Sequence, residues 1–224
     1  LVSFVLPTLS QQWQLTPAQS GWIVSVAFVG MALGAVASGW AADRFGRRNV
    51  FVGTMVLYSI ATGLCALSPS LPILLFCRFW VGFGLGGQLP VAVSLVSEFA
   101  PPAVRGRLIV LLESFWGLGW LAAALASWGF IPHFGWHSAF WIGALPIFYA
   151  LWVWRKLPES VPYLLARGRV DEAHALVSRL EARADLPVVT EAVVAATATH
   201  EPIRFGQLWK PPFARRTLML WLIW

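Results

Sequence analysis

Charge is what this sequence has least of: 12% of its 224 residues are Asp, Glu, Lys or Arg, about half the share typical of soluble domains. So little charge cannot clothe a water-facing surface, which excludes an ordinary soluble globular domain. Cysteine is nearly absent. The two present, Cys65 and Cys77, sit inside apolar runs with no Cys or His beside them, which excludes a disulfide framework or a metal motif and leaves both as reduced packing residues. No basic flank precedes the opening stretch Leu1 to Leu6 and no initiator Met is present, so no cleavable signal peptide is read and the chain is expected to begin partway into a helix. Nucleophile, phosphate and metal motifs are also lacking, so no cofactor and no enzymatic reaction is expected.

What fills the chain instead is hydrocarbon. Hydrophobic residues make up 58%, with fourteen Trp and fifteen Phe against three Tyr, a composition suited to a bilayer and its interfacial aromatic belts. The reading is an all-α membrane protein. Leu1 to Leu9 reads as the end of a truncated first helix and Ser10 to Ser20 as a polar loop. Further helices run from Gly21 to Ala42, from Val50 to Leu67, from after the turn Ser68 to Pro72 on to Phe99, from Leu108 to Ile131 and from Trp136 to Leu157, each near the ~20 residues that cross the hydrocarbon core. Residues 1–157 are therefore expected to form a transmembrane bundle. Residues 158–216 form a soluble segment, with an amphipathic helix over Val170 to Arg183 and an Ala-, Val- and Thr-rich linker over Leu186 to Pro202. Residues 217–224 read as the start of a seventh helix, so the chain is expected to be one half of something larger.

The net charge of +6 invites a nucleic-acid reading, but the basic residues flank hydrophobic spans and report topology instead. Of sixteen Lys and Arg, one, Arg78, falls inside a span; the others follow the second, fourth and sixth helices. The positive-inside rule makes those loops cytoplasmic and leaves His133 and His137 on the outer side. A bacterial inner membrane is the expected location.

Ionisable groups inside a span are functional hypotheses by default, and two are present, Arg78 and Glu113. They lie at different depths, so they are expected to line one polar cavity without pairing. Arg78, Gly82, Gly86 and Pro90 recur every four residues beside Gln88, and such glycines serve either tight helix packing or a bound ligand. Glu113, Trp116, Gly117 and Trp120 share one face of the next helix. That face offers a carboxylate, two indoles and a gap in which a planar ring can stack, although the indoles also suit plain space-filling.

Four ionised groups crowd the stretch Gly39-Trp-Ala-Ala-Asp43-Arg44-Phe-Gly46-Arg47-Arg48, where Gly39 and Gly46 are expected to allow close approach and a sharp turn. Glu98-Phe-Ala-Pro-Pro-Ala-Val-Arg105-Gly-Arg107 follows the fourth helix, and Pro158-Glu159-Ser160 the sixth. These motifs resemble those of the major facilitator superfamily, N-terminal half, and specifically its sugar porter-like and metabolite:proton symporter branch. Where sugar porters read Pro-Glu-Ser-Pro-Arg-Trp-Leu, this chain reads Pro-Glu-Ser-Val-Pro-Tyr-Leu. The run Gly82 to Pro90 with Leu111 to Trp120 resembles niacin (nicotinate) transporters more than hexose carriers. The resemblance implies a secondary active transporter completed by a C-terminal six-helix half, binding a small-molecule substrate and protons and working by alternating access. It also implies that Asp43, Arg44, Arg47, Arg48, Glu98, Arg105 and Glu159 form a cytoplasmic lock. Symport of a small aromatic carboxylate is the reading; a sugar or neutral-metabolite porter and a non-transporting receptor on the same fold are the alternatives.

Overall fold

The computed structural model describes residues 1–101, 103–184, 211, 214, 215, 218 and 219. It divides into two units, 1–163 and 164–224. The first is a bundle of helices: α1 (Val2–Trp13), α2 (Pro17–Phe45), α3 (Arg47–Ala66), α4 (Leu71–Phe99), α5 (Arg105–Phe134), α6 (Trp136–Ala144) and α7 (Pro146–Lys156). Among the described residues, five stretches are long and apolar enough to cross a membrane, with α6 and α7 together supplying the fifth.

Helix ends are set by local chemistry. The expected polar loop shrinks to Gln14–Thr16, because the Thr16 hydroxyl accepts from the Gln19 backbone and the Gln19 side chain accepts in turn from the Thr16 N–H. This capping box, followed by Pro17 at the first helical position, starts α2 earlier than hydropathy alone suggests. Polarity did not break the helix there; it marks where the helix leaves the hydrocarbon. The single span read over Trp136 to Leu157 is interrupted at Leu145, whose N–H bonds Ile142 in an i to i−3 pattern. Pro146 supplies no N–H to continue the ladder. Pro90, by contrast, is carried inside an α4 that stays helical from Leu71 to Phe99.

The bundle centres on the crossing of α2 and α4. A methyl group added to Gly30 or Gly34 would strike the backbone of Phe79 or Phe83, and one added to Gly82 or Gly86 would strike that of Ala27 or Met31. The two backbones thus touch along reciprocal glycine steps, as small-residue ridges permit in lipid. Gly39 does not join them: it lies within α2 on an exposed face with open space around it, and the turn expected of both Gly39 and Gly46 is made by Gly46 alone, at φ +95°. Beside this crossing, Val5, Leu9, Ile23, Cys65, Leu74 and Phe140 form a closed apolar core. Trp136 is buried with them and donates its indole N–H to Gln12 at 2.7 Å.

In the second unit, α8 (Val170–Ala184) occupies the span expected for the amphipathic helix. Asp171 and Glu172 sit in its first turn, where the helix dipole favours acid, and Arg169 grips Glu172 through two bonds of 2.7 and 2.6 Å. The expected linker over Leu186 to Pro202 lies outside the described residues. So does the expected seventh-helix start, except Leu218 and Met219.

Candidate functional site

The turn at Gly46 delivers Arg47 and Arg48 to the start of α3, and four separate segments meet there. Arg47 Nε lies 2.7 Å from Glu98 Oε1 on α4 and also donates to the Ser94 hydroxyl at 3.0 Å. Its Nη1 donates to Ser160 at 3.1 Å. Ser94 lies one turn before Glu98 and donates to the same carboxylate oxygen at 3.3 Å. The Arg47 and Glu98 side chains are 20% and 15% exposed, so the pair is largely withdrawn from water and is held more strongly than a surface pair would be.

Glu159 does a different job. Its Oε1 accepts the Arg48 backbone N–H at 3.1 Å and the Ser160 N–H at 3.0 Å. A carboxylate therefore caps the N-terminus of α3, where the free N–H groups and the helix dipole both favour negative charge. A side chain at Gly46 would collide with this carboxylate and with the Tyr163 ring, so the glycine serves a close approach as well as a turn. Glu159→Ala is expected to lower stability by about 1–2 kcal/mol and Glu159→Gln by less, because the amide still accepts. Thermal unfolding in detergent reads both.

The remaining residues of the expected lock sit further out. Asp43 is 80% exposed and reaches Arg47 Nη2 only at 3.9 Å. Arg44 lies over the rings of Trp40 and Phe45, 5.6 and 5.8 Å from their centroids. Arg105 turns back on the Ala100 carbonyl at 3.5 Å. Thus Arg47, Arg48, Glu98 and Glu159 come together, with Asp43 at the rim. Ser160, from the motif Pro158-Glu159-Ser160, and Ser94 complete the cluster; Ser94 was not singled out from sequence, and its four-residue spacing to Glu98 was the available signal. Arg48 Nε and Glu98 Oε2 are buried without a hydrogen-bond partner among the described residues.

Within the spans, Arg78 is half-buried on α4 and directs Nε at the Ile23 carbonyl of α2, at 3.5 Å. No carboxylate lies within ion-pair range of it among the described residues. Glu113 is exposed on α5 and Gln88 half-buried on α4. Trp116, Gly117 and Trp120 line an apolar cleft of about 710 Å³ with Phe4, Leu121 and Ala124. Phe4 meets Trp120 edge-on at 5.2 Å. A Cβ at Gly117 would touch nothing within 4 Å, so this glycine leaves a gap and packs no helix. Neither Arg78 nor Glu113 lines that cleft, so the expected single polar cavity is not what these indoles enclose.

Known proteins resemble this chain in sequence and in fold. The niacin transporter NiaP of Acinetobacter baylyi is 60% identical over 224 residues, all of this chain and 51% of that protein. The putative niacin/nicotinamide transporter NiaP of Bacillus subtilis is 50% identical over 163 residues, 73% of this chain and 41% of that protein. This chain thus spans about half the length of the relatives it matches. The proton:xylose symporter XylE of E. coli, from the major facilitator superfamily and solved with 6-bromo-6-deoxy-D-glucose, superposes with a TM-score of 0.71 at 20% identity, over 88% of this chain and 48% of that one. Its likeness shows the fold, the N-terminal part of a major facilitator bundle; the apolar spans among the described residues, with the transporter family match, mark a multi-pass membrane protein. Because the family model described as Sugar (and other) transporter matches residues 2–224, the chain belongs to that family of transporters.

Proposed function

We propose that the chain is the N-terminal half of a secondary transporter that carries a small aromatic carboxylate, nicotinate being the specific candidate, in symport with protons. The observation that carries this is Arg78, a guanidinium inside a membrane span with no carboxylate in ion-pair range among the described residues. A cation so placed is costly unless an anion visits it, and a bidentate carboxylate matches its geometry. Trp116 and Trp120, beside the gap at Gly117, supply faces for a pyridine ring at a separate step of the path, since Arg78 does not line their cleft. Gln88 adds an amide able to donate or accept, and Glu113 is the proton carrier. The 60% identity to a protein named as a niacin transporter supports the same substrate.

The ionic cluster of Arg47, Arg48, Glu98 and Glu159, with Asp43, Arg44 and Arg105 around it, serves as the inner lock. It lies on the cytoplasmic side by the positive-inside rule, and its making and breaking biases the two access states against one another. A second six-helix half completes the path.

Uptake of labelled nicotinate by the full-length protein tests the substrate. Arg78→Ala is expected to raise the half-saturation concentration about 10- to 100-fold, the worth of a hydrogen bond to a charged group, while Arg78→Lys keeps part of it. Glu113→Gln is expected to abolish accumulation driven by a proton gradient yet leave counterflow exchange. Unchanged uptake in both Arg78→Ala and Glu113→Gln removes the mechanism. Competition by hexose but not by nicotinate points to a sugar porter, and ligand binding without flux in proteoliposomes to a receptor.

A further inference from the structure

We propose that the groove between α3, α4, α5 and α7 holds one acyl chain of an anionic phospholipid, with the lipid phosphate held by Lys156. The groove has a volume of about 350 Å³. Its floor is Leu95 and Val153, both 5% exposed, and its walls include Leu112, Tyr149 and Trp152. Lys156 is the one charged residue in the lining. Tyr149 and Lys156 are both on α7, so the groove runs about 10 Å along the helix axis at 1.5 Å per residue. That is some two-thirds of the hydrocarbon depth of one leaflet, which is about 15 Å.

Position and charge select the occupant. Lys156 stands in the last turn of α7, at the end of the bundle that also carries Arg47 and Glu98, where the span re-enters the headgroup layer. Among the described residues it has no acidic partner within ion-pair range. A long basic side chain at that level places its amine among the headgroups and its stem along the apolar wall. The groove below is lined by apolar and aromatic side chains: Tyr149 and Trp152 stack at 5.4 Å with an interplanar angle of 21°. Hydrocarbon in the slot and a phosphate at its rim satisfy both features at once. A zwitterionic lipid fills the slot equally well but brings an ammonium group that opposes Lys156.

The full-length protein, reconstituted in phosphatidylcholine vesicles, is titrated with phosphatidylglycerol or phosphatidylcholine brominated along the acyl chain, and tryptophan fluorescence is read. Brominated phosphatidylglycerol is expected to quench at about fivefold lower mole fraction, the preference that one lysine near the surface confers. Lys156→Gln is expected to bring the two lipids to parity, and Trp152→Phe to remove the extra quenching while leaving the part contributed by exposed Trp154 on the same helix. Equal quenching by both lipids in the unsubstituted protein means ordinary bilayer contact and overturns the proposal. Extra quenching that persists in Trp152→Phe places the anionic lipid elsewhere and also overturns it. If Trp152→Phe loses no quenching from either lipid, protein rather than lipid covers the groove, and the proposal is again overturned.

Discussion

Arg47→Ala is expected to destabilise the bundle by about 3 kcal/mol, the loss typical when one partner of a buried ion pair is removed, which is roughly a hundredfold in the unfolding equilibrium. The size follows from what stays behind. Glu98 would keep its charge in a side chain that is 15% exposed, with Oε2 already lacking a partner and only the Ser94 hydroxyl left on Oε1. Arg47→Lys is expected to fall in between, because a point charge can satisfy Glu98 but cannot also span to Ser160. The informative variant is the double substitution Arg47→Ala/Glu98→Gln. Removing the stranded charge should recover a good part of the loss, and the cycle of four proteins isolates the pair. Thermal unfolding in detergent reads stability. A single-variant loss below about 0.5 kcal/mol, the range of ordinary surface substitutions, would show that the pair is a bystander.

Gly34→Leu and Gly82→Leu are each expected to yield no folded bundle. A side chain at either position enters the backbone of the opposing helix, Phe83 for Gly34 and Ala27 for Gly82. A rotamer change relieves a clash with a side chain, but only separation of α2 from α4 relieves one with backbone. Even Gly82→Ala should lose stability. Alanine gains about 1 kcal/mol of helix propensity over glycine, whereas overpacking a closed contact costs about 1–3 kcal/mol or more. Gly53→Ala in α3 is the matched control, because a methyl group there meets nothing within 4 Å and only the propensity gain remains. Opposite signs for Gly82→Ala and Gly53→Ala are therefore the expected result in a thermal unfolding series. If both stabilise, the crossing is looser than described.

The membrane helices were legible in the sequence because lipid demands long apolar runs and forces charge to their ends. The charged turn between the second and third spans could be read for the same reason, although it is confined to Gly46 and the rest of the stretch from Gly39 to Arg48 is helical. What could not be read were choices made by neighbours. Gly82, Gly86 and Gly117 look alike in sequence, yet backbone from α2 fills the space at the first two while the third stays open, a distinction made by a helix some fifty residues away. Asp43 and Arg47 have the spacing of an ion pair, but the better acid for Arg47 comes from α4, so Asp43 is left outside. Ser94 stood out in no motif, and Ser160 only as the last residue of Pro158-Glu159-Ser160, because a serine acquires meaning only from the arginine that reaches it. The break at Leu145 had a local signal in Pro146, which a steadily apolar run concealed. The indole face of α5 was visible by helical spacing, but Phe4, which meets it from α1, was not.

The bond from the Arg48 N–H to Glu159 spans 111 positions of sequence. A ribosome delivers a chain from its N-terminus onward, so α3 is made long before the carboxylate that finishes its first turn has left the exit tunnel. Until the last span of the bundle is in the bilayer, the start of α3 must rely on whatever the headgroup layer offers. Arrival of Glu159 then fastens the turn between α2 and α3 to the stretch that follows α7, so a chain broken off before that point has every preceding span but not the clasp that joins them.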